Sequence, residues 1–251
     1  MGFKDTIEEA LRDFRPVTLR SFLLRERGEA KLHYILYEIL KRYGNTELMG
    51  PVHAATRELV QNASKASLKR ILFDEQGLHP RSEEDYQKGM TNFRKYLVES
   101  QLNLYRARIV DSGLFFAITF KFSERALNVM VRNLFTLFPA EEIRIRDKFV
   151  RAKTLDNLYD FYMQHGDVTE GAGMGIAMVE ILLSQAGIDR HNFTIFTDHH
   201  RGQTVARIVL PFQDDFVVPR KQFENEMERS GDSAEVLREK VRRGEFKLEY
   251  L

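Results

Sequence analysis

The sequence contains no cysteine. Disulfides and thiolate metal sites are therefore excluded, which suits a reducing cytoplasm. It has no run of about 18 apolar residues, so no membrane-spanning helix is expected. Its N-terminus, MGFKDTIEEALRDFRP, is charged and helix-like and lacks the apolar centre of a secretion signal. There is no excess of one charge: 38 Lys and Arg stand against 37 Asp and Glu, a formal net charge of +1. That balance argues against a chain built to coat nucleic acid or acidic lipid. Internal repeats and low-complexity segments are also missing. The expectation is a cytoplasmic protein with no nucleic-acid partner and no direct membrane insertion.

What is present is 251 residues, 43% of them hydrophobic, enough for one large domain or a medium one with appendages. Residues 3–14 read as a short helix ending before Pro16, and 29–43 place Leu32, Ile35, Leu36, Ile39 and Leu40 at helical spacing. A longer helix is expected from Thr46 or Pro51 to Leu72, then a polar loop over 74–90, then a helix near 91–101. The stretch LYRARIVDSGLFFAITFKFSERALNVMVRN reads as three strands separated by turns at Asp111–Gly113 and Ser123–Arg125. Pro139 and two following acids open a helix to about Ala152. After an irregular stretch, EGAGMGIAMVEILL runs glycines into a helix that Gly187 closes. FTIFTDHHRGQTVARIVLPF is a hairpin turning at Asp198–Gly202, and 218–246 read as one or two exposed, charged helices. The pattern is α+β: a mixed, mostly antiparallel sheet with helices on one face, plus terminal helices.

Two segments carry chemistry. In RELVQNASKAS, Glu58, Asn62 and Lys65 stand at i, i+4 and i+7, on one helical face. A solvated polar stripe is the ordinary fate of such residues. The functional alternative is a metal-nucleotide site, in which the Asn62 oxygen binds Mg²⁺, Lys65 neutralises phosphate and Glu58 acts as base. The glycines at 171, 173 and 175 fit either a phosphate loop or a flexible lead-in to a core helix.

The order of these segments resembles the GHKL superfamily, the ATP-binding domains of histidine kinases, gyrase, the heat-shock ATPase and the mismatch-repair ATPases. ELVQNASKA is most similar to the N box of histidine kinases, and the likeness covers roughly residues 46–213. It implies a two-layer α/β sandwich of Bergerat type binding ATP and Mg²⁺ between sheet and helices. The implied roles are Asn62 as magnesium ligand, Glu58 as base and Lys65 beside the phosphates. Gly171, Gly173, Met174 and Gly175 would form the second glycine box, whose N–H groups and helix N-terminus cradle phosphates. Residues 153–170 would be the lid, and Thr204 would help hold the adenine. Residues 1–45 then read as an N-terminal helical extension and 214–251 as a charged helical tail.

One departure stands out. Where the family carries Asp-x-Gly-x-Gly, this chain has Asn133, Phe135 and Leu137. Asn133 can still meet the adenine amino group through its carbonyl, without the strength that charge adds. Phe135 either stacks on the base or fills its pocket. No phosphoacceptor histidine is evident at His33 or His53, so the acceptor would be a separate signalling protein. The rival reading is a non-catalytic interaction module, its pocket closed by Phe135 and Phe138. Asp198-His199-His200 reads as turn polarity rather than a metal site. Residues 1–45 either pack on the domain or mediate a homodimer.

Overall fold

The computed structural model describes residues 2–95, 105–152 and 175–248. Nine helices and five strands are assigned among the described residues, besides two short 3₁₀ turns. In chain order the helices are α1 (Phe3–Arg12), α2 (Glu26–Arg42), α3 (Met49–Glu75), α4 (Glu83–Lys95), α5 (Arg106–Asp111), α6 (Pro139–Ala152), α7 (Gly175–Gln185), α8 (Pro219–Ser230) and α9 (Ala234–Arg243). The strands are β1 (Val17–Ser21), β2 (Phe116–Phe122), β3 (Ala126–Asn133), β4 (Phe193–Asp198) and β5 (Gln203–Pro211). They form one sheet in the order β1-β2-β3-β5-β4, with every neighbour antiparallel.

Strand alternation divides the sheet into two faces. Phe116, Ile118 and Phe120 of β2, Leu127, Val129 and Val131 of β3, and Ile208 and Leu210 of β5 share one buried cluster with the helices. From α2 that cluster takes Leu32, Ile35, Leu36, Ile39 and Leu40, all fully buried. From α3 it takes Val52, Ala55, Leu59, Val60 and Ala63, and from α7 Ile176, Val179 and Leu183. This is the expected α+β sandwich. A second cluster extends it beyond the sheet, where Leu68, Leu72 and Phe73 of α3 pack with Tyr86, Met90 and Phe93 of α4 and Ile109 of α5.

Three local expectations change. Residues 106–111, read as a strand, are helical, because Ile109 buries alone against the end of α3 rather than in alternation. The helix expected near 91–101 begins at Glu83, inside the segment read as loop. The first 45 residues are not a purely helical extension. Val17–Ser21 forms an edge strand on β2, in the register Val17↔Phe120 to Ser21↔Phe116. Ile7 and Leu11 of α1 enter the same core as the rest. At the other end, α8 and α9 confirm the exposed C-terminal helices. Phe216 and Val218, just before α8, close over Ala126 and Val209 on the second face of the sheet.

Candidate functional site

Midway along α3 the helix carries its polar stripe between sheet and solvent. Glu58, Asn62, Lys65 and, one turn on, Lys69 line a cavity of about 420 Å³. Its floor is the sheet, through Val131, Asn133, Thr204 and Ala206. Asn133 and Thr204 are directly opposed across β3 and β5. Gly175, Ile176 and Met178 of α7 close one side; Tyr86, Met90 and Phe93 of α4 close another. Thus Glu58, Asn62, Lys65, Asn133, Gly175 and Thr204 all line one cavity. Gly171, Gly173 and Met174 lie outside the described residues, as do the lid residues 153–170.

Gly175 opens α7 hard against the α3 stripe. A Cβ there would collide with the Glu58 carboxylate and stand 2.9 Å from the Asn62 amide nitrogen. Only a hydrogen side chain lets the first turn of α7 approach these two groups so closely. The α7 N-terminus, with its outward N–H groups, therefore faces the proposed metal ligand and base.

The segment from β3 into α6 is held by an arginine. Arg70, on α3, donates to Glu141 at 2.6 and 3.1 Å and to the Thr136 carbonyl at 2.9 Å. Its guanidinium carbon lies 4.5 Å from the Phe135 ring centre and 3.3 Å from that of Phe138. Glu141 sits third in α6 and also accepts from the Phe138 N–H at 2.9 Å, a capping-box contact that fixes the helix start. Both aromatic rings are thus drawn onto Arg70, and neither is among the cavity-lining residues. The expected closure of the pocket by Phe135 and Phe138 does not occur; of residues 134–138 only Leu137 lines the cavity. Asn133 donates its NH₂ to the Ala63 carbonyl at 3.0 Å and more weakly to Ser67 Oγ at 3.4 Å. This orients its amide and leaves Oδ1 as the group that can accept from a ligand. The Thr204 hydroxyl donates to the Phe135 carbonyl at 2.7 Å.

Sequence reasoning missed the charge of the far wall. Lys65, Lys69, Arg144 and Lys148 line the cavity against two carboxylates, Glu58 and Glu141. Glu141 is already matched by Lys69 at 2.7 Å and by Arg70. Burial opposes its ionisation, but these two cations hold its pKa at about 2. Burial pushes the Lys69 pKa down, with Glu141 opposing. Lys148 falls to about 8 through burial and the nearby charges of Arg144 and Lys69. Concentrated, partly dehydrated positive charge of this kind favours an anionic ligand. A signal did exist: Glu141, Arg144 and Lys148 recur at i, i+3 and i+7 of α6 and so share a face.

Among the described residues, no group of three or more His, Cys, Asp or Glu could hold a metal ion. A magnesium ion would need ligand oxygens in addition to that of Asn62, which is the usual way that ion is bound beside phosphates. His33 and His53 meet each other edge-on at 5.3 Å between α2 and α3, and neither lines the cavity. Burial, then His33, lowers the His53 pKa.

No family model and no solved structure matches the chain. It is 28% identical over 207 residues, 82% of its length, to an uncharacterized protein of Treponema pallidum (strain Nichols), and spans only 40% of that relative. No helix among the described residues is long and apolar enough to cross a membrane.

Proposed function

We propose that this chain is a histidine-kinase-like ATP-binding protein of GHKL type. In this reading it takes Mg-ATP into the α3–sheet cavity and transfers the terminal phosphoryl group to a separate signalling protein or to water. The observation that carries the reading is the convergence of six motif residues, drawn from α3, β3, β5 and α7, on one cavity of about 420 Å³. That volume lies within the range of small-molecule sites, about 300–1,000 Å³. The base would lie over Asn133 and Thr204, with Asn133 Oδ1 accepting from an exocyclic amine. The phosphates would extend toward Lys65, the α7 N-terminus and the cations of α6. Asn62 would hold the magnesium ion, which supplies charge neutralisation at the phosphates. Glu58 would take the proton of the attacking group. Such transfer rests on positioning and electrostatics more than on covalent chemistry by the protein.

One observation favours the rival, non-catalytic module: the Asn133 NH₂ and the Thr204 hydroxyl are both engaged within the fold. Calorimetric titration with ATP and Mg²⁺ separates the two, with ADP and GTP alongside and Asn62→Ala as control. The ATPase-type reading expects magnesium-dependent binding of ATP that Asn62→Ala weakens at least tenfold. No heat with any nucleotide, from protein that unfolds cooperatively, supports the module.

A further inference from the structure

The second face of the sheet carries a groove unconnected with the nucleotide reading. It has a volume of about 680 Å³ and is lined by Thr18, Arg20, Phe115, Arg132, Leu134 and Gln203, with Ala117 as its floor. Register explains its shape. Arg20 is paired with Ala117, and Ala117 with Arg132, so two arginines flank one methyl group across three adjacent strands. At the usual strand spacing their Cα atoms are roughly 10 Å apart. Arg20 lies over the Phe115 ring at 5.4 Å, and Arg132 donates to Thr119 Oγ1 at 2.7 Å. Thr119 in turn is bonded to Thr18 at 3.0 Å. Among the described residues, neither arginine has a carboxylate partner and no carboxylate lines the groove. Leu134 at its rim is 40% exposed.

We propose that this groove docks an acidic peptide segment of a partner protein. Two guanidiniums set apart across three strands suit two carboxylates on one chain better than a single phosphate. The apolar rim of Phe115 and Leu134 contributes nothing to an inorganic ion, but it covers a peptide's aliphatic side chains. Nucleic acid is disfavoured, because its affinity comes from neutralising many phosphates. The groove has two arginines and the chain a net charge of only +1.

The test is an array of octapeptides of randomised composition, probed with the wild-type protein and with Arg20→Glu. Arg20 is exposed and among the described residues its side chain makes only the ring contact, so the variant should fold; circular dichroism checks this. Peptides rich in Asp and Glu should be retained by the wild type, and their affinity by fluorescence anisotropy should fall at least tenfold in Arg20→Glu. Thr18→Val, a neutral change in the same groove, should cost several-fold without altering the preference for acids. Absence of acidic enrichment, or equal enrichment in Arg20→Glu, overturns the proposal. So does displacement of the bound peptide by oligothymidylate or inorganic phosphate at lower concentration than by unlabelled peptide.

Discussion

At the scale of single residues, Glu141 determines how the region beside the cavity is built. It joins Lys69, Arg70 and the start of α6, and all of these contacts are nearly dry. Its folded pKa, about 2, lies below the ordinary value of 4.5, so the folded state binds the proton less tightly than the unfolded chain. The stabilisation is therefore complete above pH 4.5 and lost as the pH falls toward 2. A shift of that size corresponds to on the order of 3 kcal/mol. Glu141→Gln should lower the urea-unfolding free energy at neutral pH by about that amount, and the gap between the two proteins should close as the solution is acidified. A gap independent of pH would mean that packing, not charge, holds α6 in place. Asn133 and Phe135 stand out in the sequence only against the proposed GHKL pattern. What Phe135 does with its ring was not legible, because Arg70 lies 65 positions earlier and no local rule links the two.

Among the elements, α4 is one that sequence periodicity misjudged, and it forms a wall of the cavity. It approaches α3 at Gly89, where a Cβ would run into the Phe73 ring. Gly89→Ala should force α4 away from α3 and cost about 1–3 kcal/mol in chemical denaturation. An unchanged midpoint would show that the ring simply turns aside. The elements that were legible, α3 and the β4–β5 hairpin, declare themselves over a few residues: an apolar period in one, a turn flanked by alternating runs in the other. The illegible ones depend on distant partners. Val17–Ser21 is five residues beside a proline, and its strand character comes from β2, about a hundred positions away. Arg106–Asp111 contains too few apolar residues for its period to be read, and α3 decides it.

For the molecule as a whole, the N-terminal residues belong to the same cooperative unit as the motifs. Leu32, Ile35, Leu36, Ile39 and Leu40 of α2 are fully buried in the cluster that also holds residues of β2, β3 and α7. A chain beginning at Thr46 would uncover that face and strip the edge of β2. It should show no sharp thermal transition, and a cooperative transition near that of the full chain would contradict a shared core. The sheet also sets a relation between its two sides. Asn133 faces the cavity and Arg132 the opposite groove, yet they share one peptide unit, and both are paired with neighbouring residues of β5. If filling one side changes affinity on the other by some factor, the second ligand must change affinity for the first by that same factor. The strand end at residues 132–133 is thus a balance point, and any influence passing through it runs equally in both directions.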